Sequence, residues 1–504
     1  MKKFIIVAFL GLKLSLFSQT KPNIIVFLVD DMGWQDCSVN FWTLASPLNK
    51  LYHTPNMERL AQQGMKFTNA YAAPVCTPSR SSMLSGVNSA HLGITNWTSP
   101  WKNNNTDSKD EQMSESDWNI NGLSPVPGIE KTYYATPFPA LLKEAGYYTI
   151  HVGKAHWAPM GTPGANPYNM GFMVNVSGHA AGHPQSYYGK DNYGNISGKT
   201  SAQAIPDLEE YFGTDTFLTE ALTLEAIKAL QAPIRNKQPF YLNMANYAVH
   251  TPIMADKRFI KKYLDTGMDT TEAKYASLIE GMDKSLGDIM DFLKEKKVDQ
   301  NTIIIFMSDN GGLSTTPLRG GKAHSQNLPL KAGKGSVYEG GIREPMIIKW
   351  PGVVQPNSTA NQYVMIEDFF PTILQMAGLK NYKLVQSVDG KSLIPILKNA
   401  NYSDTSRSLI WHYPNKWIDK DGPGINYYSA IRKGNWKMIY SMRTGKKELY
   451  NLAIDMGESN DLSENYTDKL LELSTLLSNQ LRKWKAPMPR FKNTGQLVPF
   501  SDGH

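Results

Sequence analysis

Cys76-Thr77-Pro78-Ser79-Arg80 sets a cysteine four residues ahead of an arginine, at what reads as the start of a helix. Pro78 suits a first helical turn, where its missing N–H is no loss. The run Ser79-Arg80-Ser81-Ser82-Met83-Leu84-Ser85 then continues to Gly86, a natural C-terminal stop. A thiol at the positive end of a helix dipole is stabilised as its anion, which lowers its pKa and suits nucleophilic chemistry. The plain alternative is a cysteine that is only buried, or one paired with Cys37, the other of the chain's 2 cysteines. The spacing leaves both open.

A second set of residues offers ligands and charge. Asp30 and Asp31 close one apolar run, and Asp309 and Asn310 close another far away in sequence. These are hard oxygen donors of the kind that calcium or magnesium takes. One aspartate after a strand is ordinary turn chemistry. Two such ends on one edge would repel each other, and a divalent cation removes that repulsion. Lys154, His156 and His250 bring cationic or hydrogen-bonding groups after two further runs. Lys334 lies between Gly333 and Gly335, whose lack of side chains permits close backbone approach to a ligand. The spacing there is not that of a nucleotide P-loop.

The elements that must hold these groups read as strands and helices in alternation. Asn23–Val29, Tyr147–Val152, Phe240–Ala245 and Thr302–Ser308 are continuously apolar, the mark of strands covered on both faces. Helical patterns lie between them at 56–63, 137–144 and 216–230. Alternation predicts an α/β fold around a large, mostly parallel sheet flanked by helices. In such sheets ligands bind outside the carboxyl ends of the strands, where these residues fall.

The cysteine string with its Ser81-Ser82-Met83-Leu84-Ser85-Gly86 tail closely resembles the signature of type I sulfatases, of the alkaline phosphatase superfamily. The likeness extends from Pro22 to about Leu462 and takes in Gly153-Lys154-Ala155-His156, His250-Thr251-Pro252, Asp309-Asn310-Gly311-Gly312 and Glu339-Gly340-Gly341-Ile342-Arg343. Bacterial polysaccharide sulfatases are the nearest group. Val87, where many relatives carry a basic residue, and Ala155, where many carry a bulky aromatic, depart from the pattern without removing a catalytic group.

The resemblance implies that Cys76 is converted to formylglycine (3-oxoalanine) by a formylglycine-generating or anaerobic sulfatase-maturing enzyme, leaving Cys37 as a small filler. It implies one Ca²⁺ held by Asp30, Asp31, Asp309 and Asn310 with residue 76. The aldehyde hydrate then attacks sulfur, with Asp309 assisting its deprotonation and Arg80 orienting it. Lys154 and Lys334 hold the sulfate, and His250 or His156 protonates the leaving oxygen. The second hydroxyl regenerates the aldehyde.

The chain has 504 residues, more than one core accommodates, so two domains are expected. Residues 1–18 read as a secretory signal peptide: Lys2 and Lys3 precede an apolar stretch too short and too interrupted to span a bilayer. An exported protein, periplasmic or secreted, follows. The catalytic domain is expected over 19–378 and a C-terminal subdomain over 379–504. In the latter, Ala430–Tyr440 and Lys447–Leu452 read as two antiparallel strands joined by a turn at Gly445, with a helix over 468–484. A net charge of +7 without a basic block, and no nucleic-acid motif, argue against nucleic-acid partners. No second apolar segment of spanning length argues for a membrane partner.

Two stretches read as specificity loops. Residues 88–135 carry Trp97, Trp101 and Trp118, and residues 411–428 carry Trp411, His412, Tyr413 and Trp417. Exposed aromatics can stack on sugar rings, so a sulfated carbohydrate is the expected substrate, with His412, Lys154, His250 and Lys334 as substrate-binding residues. An algal polysaccharide such as ulvan is the leading expectation. Host glycosaminoglycan desulfation, or a related phosphodiesterase or phosphonate hydrolase activity, is the alternative.

Overall fold

The computed structural model describes residues 21–44, 46–196, 198, 201–313 and 327–504. The signal-peptide expectation for 1–18 lies outside them. Two sheets organise the chain, with a short extra pair between Leu123–Ser124 (β3) and Tyr133–Tyr134 (β4). The larger sheet has nine strands: Asn23–Val29 (β1), Met65–Tyr71 (β2), Tyr148–Gly153 (β5), Val174–Val176 (β6), Phe240–Ala245 (β7), Thr302–Ser308 (β8), Arg343–Lys349 (β9), Ser358–Ala360 (β10) and Val364–Met365 (β11). Their order is β10-β2-β9-β8-β1-β7-β5-β6, with β11 also on β2. All neighbours are parallel except β9, which runs against both β8 and β2.

Strand β1 shows why its run is continuously apolar. Ile25, Phe27 and Val29 enter one core, whereas Ile24, Val26 and Leu28 enter the other. The first core packs under the helices Leu218–Arg235 and Thr270–Glu295, and the second under Cys76–Ser85, Phe138–Glu144 and Phe369–Met376. Alternate side chains of a strand point to opposite faces, so a strand sandwiched by helices has no solvent face on which a polar residue could sit.

The smaller sheet is antiparallel, in the order Ser408–Tyr413 (β12), Tyr428–Lys433 (β13), Trp436–Ser441 (β14) and Lys447–Asn451 (β15). The helix Thr467–Trp484 packs against it through Leu473, Leu477 and Leu481. Two details differ from expectation. The stretch 430–440 is not one strand: Gly434, at φ 59°, turns the chain so that Lys433 pairs with Trp436. Residues 411–413 are not loop but the end of β12, drawn in by pairing with β13.

A buried ionic cluster ties the two sheets together. Lys437 of β14 contacts Glu339 at 2.9 Å and Glu458 at 2.8 Å, and Glu339 also accepts from Tyr71 of β2 at 2.6 Å. Trp411 Nε1 donates to the Ala72 carbonyl at 2.9 Å. No helix among the described residues is long and apolar enough to cross a membrane.

Candidate active site

Four adjacent strands, β8, β1, β7 and β5, end on one edge of the sheet, and each delivers polar groups there. Backbone hydrogen bonds lock the ends together: Asp309 N to Val29 O at 3.0 Å, Asp30 N to Ala248 O at 3.0 Å, and Lys154 N to Ala245 O at 2.8 Å. Asp30, Asp31, Asp309 and Asn310 all lie buried on this edge.

Against them sits the helix Cys76–Ser85. Cys76 is its first residue, and Gly86 closes it at φ 72°, with its N–H on the Ser82 carbonyl. A side chain at Gly86 would meet Phe370 at 2.8 Å, so the stop is also a close approach. One turn into the helix, Arg80 is fully buried. Its Nε donates to Asp309 Oδ2 at 2.8 Å, and Nη1 to the Lys154 carbonyl at 2.9 Å. Burial works against its charge, but Asp309 and Asp30 more than offset this and raise its pKa.

The other cations also reach carboxylates. Lys154 Nζ lies 2.7 Å from Asp30 Oδ2, and Lys334 Nζ lies 2.6 and 2.8 Å from the two Asp31 oxygens. Burial would raise the Asp31 pKa, yet His250 and Lys334 outweigh it and hold the carboxyl well below the usual range. Asp30 is different: burial pushes it up to about 8 against the pull of Lys154, with Asp309 and Asp31 adding repulsion.

The edge also holds unused oxygens. Asp30 Oδ1 and Asn310 Oδ1 are buried without a hydrogen-bond partner. Oxygens of Asp30 and Asp31 and a His250 nitrogen come within 4.8 Å of one another. Buried orphan oxygens among hard donors fit a divalent cation.

Cys76 Sγ faces His156 Nδ1 at 3.4 Å. His156 Nε2 donates to the Thr98 carbonyl at 2.9 Å, which leaves Nδ1 with its lone pair toward residue 76. Burial holds this imidazole well below its ordinary pKa, so it is neutral. The Cys76 thiol does not follow the helix-dipole expectation: burial raises its pKa despite Lys154 and Lys334. Nor does it pair with Cys37; both cysteines are free, and Cys37 Sγ donates to the Val39 carbonyl at 3.3 Å. His250 donates from Nδ1 to the Thr251 carbonyl at 2.9 Å and presents Nε2 at 3.5 Å from Asp31.

Above this floor opens a cleft of about 870 Å³, lined by Cys76, His156, His250 and Lys334 and walled by Trp97, Trp101 and Trp417. Trp101 is 58% exposed. Trp118 is not part of the wall: it is buried, with Nε1 on Asn105 Oδ1 at 3.2 Å, and anchors its own loop. His412 is also elsewhere. It is buried in β12, with Nδ1 on Ser429 Oγ at 2.7 Å and Nε2 on the Pro487 carbonyl at 2.6 Å, so neither nitrogen is free for substrate.

Residues 22–379 match the Sulfatase family, and residues 333–486 match the family described as N-sulphoglucosamine sulphohydrolase, C-terminal. The chain belongs to the sulfatase family. It is accordingly a sulfuric ester hydrolase. A sulfatase of Formosa agariphila is 29% identical to it over 99% of this chain and 97% of its own length. The N-acetylgalactosamine-6-sulfatase of Mus musculus is 31% identical, over 95% of this chain and 89% of its own. Among solved structures, Ps i-CgsB in complex with k-i-k-neocarrahexaose superposes with a TM-score of 0.70 at 26% identity, covering 92% of each chain.

Sequence reasoning missed several parts of this sulfatase's cleft. His183 stacks on His250, with ring centroids 5.7 Å apart and planes 9° off parallel. Gly182 makes room for His156, whose Cε1 would lie 2.7 Å from a side chain there. The one available signal was the small-residue run Ala180-Ala181-Gly182 before a histidine, which on its own reads as an ordinary loop.

Proposed function

We propose that this sulfatase hydrolyses a sulfate monoester on a sugar of a sulfated oligo- or polysaccharide, with residue 76 as formylglycine and Ca²⁺ at the Asp30, Asp31, Asp309 and Asn310 oxygens. The observation that carries the reading is the placement of Cys76, Lys334 and His250 on the floor of a cleft walled by Trp97, Trp101 and Trp417. When in place, the cation would draw charge from sulfate oxygens, and the hydrated aldehyde would supply the nucleophilic hydroxyl.

The chain's own residues divide the remaining work. His156 Nδ1, held by the Nε2–Thr98 bond, accepts the proton released at position 76. Arg80 holds Asp309 in place beside that position. Lys154 and Lys334 neutralise the sulfate oxygens as charge develops on them. His250 is the acid for the departing sugar oxygen, because it lines the cleft with no backbone bond at Nε2, whereas both His156 nitrogens are engaged. Burial lowers the His250 pKa, opposed by Asp31, so the incoming anionic ester is what favours its protonated form.

For the sugar, the support comes from relatives named for N-acetylgalactosamine 6-sulfate and from a related structure holding a neocarrahexaose. We therefore place galactose-configured sulfated sugars, algal or host-derived, ahead of ulvan. The test is sulfate release from a panel of defined oligosaccharides: carrageenan, chondroitin 6-sulfate and ulvan fragments, beside an aryl sulfate and a phosphodiester. Release from a galactose-configured sulfated fragment is expected. Release from ulvan fragments alone would redirect the substrate, and turnover of the phosphodiester alone would overturn the reading.

A further inference from the structure

A second cleft, of about 500 Å³, shares no lining residue with the active-site cleft. It lies where the C-terminal part of β2, the start of β9, the 400–405 loop and the β13–β14 turn meet. Its chemistry is unusual for a gap between two sheets. None of its described lining residues is acidic and none is a lysine; the only charges are Arg343 and Arg432.

Both arginines are built into the fold. They are 3% and 4% exposed, so the little surface each retains faces the cleft. Arg343 Nε donates to the Thr68 carbonyl at 2.8 Å and Nη1 to Glu339 Oε2 at 3.3 Å, and its guanidinium lies 4.5 Å from the Trp34 ring. Arg432 Nε donates to the Gly434 carbonyl at 3.0 Å and Nη1 to Asn69 Oδ1 at 3.0 Å and to the Tyr71 hydroxyl, with its guanidinium 4.9 Å from the Tyr363 ring. Among the described residues, Nη2 of each has no hydrogen-bond partner. One remaining Nη2 on each of two fixed guanidinium groups is suited to an oxyanion, since charge-assisted N–H donors favour sulfate or carboxylate oxygens.

The rest of the lining is neutral. The side-chain amides of Asn401 and Asn435 line the cleft with no partner among the described residues, and Trp42 and Tyr402 present aromatic surface. Tyr402 is 40% exposed. Amides that accept and donate, flat rings, and two arginines on a lining that itself holds no carboxylate suit a sugar bearing an acidic ester.

The geometry points to a second, non-catalytic binding site for a sulfated oligosaccharide in this cleft, which holds polymer while its ester is cleaved elsewhere. The ligand's identity rests on the sulfated-carbohydrate reading above. A free sulfate or phosphate ion is the competing source of the same oxyanion chemistry.

The test uses the full-length Cys76→Ala protein, which binds without turnover, in affinity gel electrophoresis with carrageenan, chondroitin 6-sulfate or ulvan. Each polymer is run beside its chemically desulfated form. Retention of one sulfated polymer is expected to weaken at least tenfold on adding Asn401→Ala and Tyr402→Ala. Aryl sulfate turnover in the Cys76 background reports whether the same pair leaves the catalytic cleft intact. Arg432→Lys keeps the charge beside Tyr363 but removes the Nη2 donor, and is expected to weaken retention as well. Equal retention by the double variant, or equal retention of the desulfated polymer, overturns the proposal. So does full displacement by millimolar inorganic sulfate, which would leave an anion site only. The sulfated-carbohydrate reading fails separately, if the active enzyme releases sulfate from no sugar in the panel.

Discussion

At the scale of single residues, position 76 is a small, buried side chain aimed at one histidine and surrounded by charge. In the proposed mechanism its thiol is a precursor, and burial, which raises the thiol pKa, works against a thiolate nucleophile. Protein from a host with maturation machinery is expected to show a mass about 18 Da lower in the Cys76 peptide, the change from thiol to aldehyde. An unmodified peptide in fully active enzyme would refute this. Lys154 and Lys334 should matter for every sulfate ester alike. Replacing either with Ala removes one buried charge from the site and should cost about 2–4 kcal/mol of transition-state stabilisation. The readout is kcat/KM on an aryl sulfate and on an oligosaccharide, with equal losses on both. Metal removal by a chelator is expected to abolish activity and lower Tm, because a ligand bound only to the native state stabilises it. Re-addition of Ca²⁺ should restore both.

At the scale of elements, the helix start at Pro55 illustrates how a buried carboxylate can hold the scaffold. Asp283, on the helix Thr270–Glu295, accepts from Asn56 N at 3.0 Å and Met57 N at 2.8 Å, capping the helix Pro55–Gln63. Asp283→Ala should cost about 1–2 kcal/mol in urea unfolding. Burial nevertheless pushes this carboxyl up to about 6. Because the folded pKa lies above the unfolded one, the fold binds the extra proton between about pH 4 and 6. The associated stability is present below that window and is lost as pH rises through it, by on the order of 2–3 kcal/mol. Asp283→Asn should flatten that slope, read from denaturation midpoints at pH 4 and 7. The tryptophan loops separate in the same way. Trp101→Ala should lower turnover of an oligosaccharide far more than of an aryl sulfate, whereas Trp118→Ala should lower Tm and both activities together, because only the first lines the cleft.

At the scale of the whole molecule, the two sheets are joined through charge as well as packing. Lys437 sits between Glu339 and Glu458 with none of the three side chains exposed. Removing the lysine would strand the buried Glu458 carboxyl, while Glu339 keeps Arg343 and Tyr71; breaking such a buried pair typically costs about 3–5 kcal/mol. Lys437→Met should therefore lower Tm by several degrees in thermal unfolding, even though Met fills similar space. A Tm equal to that of the parent would show that the Glu458 carboxyl relaxes by taking up a proton. The same junction is linked to both clefts: Glu339 pairs with Arg343, which lines the second one, and follows the loop that carries Lys334 in the first. Distortion at Lys437 is thus expected to reach the active site, visible as a lower kcat with the aryl sulfate.

Much of this protein could be read locally. Continuous apolar runs ending in Asp30-Asp31 and Asp309-Asn310 gave away buried parallel strands, since a strand covered on both faces tolerates no polar residue until it emerges. Cys76, Arg80 and Gly86 marked one helix from start to stop, because helix ends are set by residues within a turn of them. Other features depended on partners distant in the chain. That β8, β1, β7 and β5 are neighbours, and so converge their ends on one site, is settled by sheet pairing. The reversal of β9 leaves no periodic trace, since its residues are buried on both faces either way. His412 and Trp118 carry the same side chains as true cleft residues, and only their hydrogen-bond partners take them out of it. Side-chain type and short spacing dictate what a residue can do. Which residue meets it across the sheet dictates whether it does.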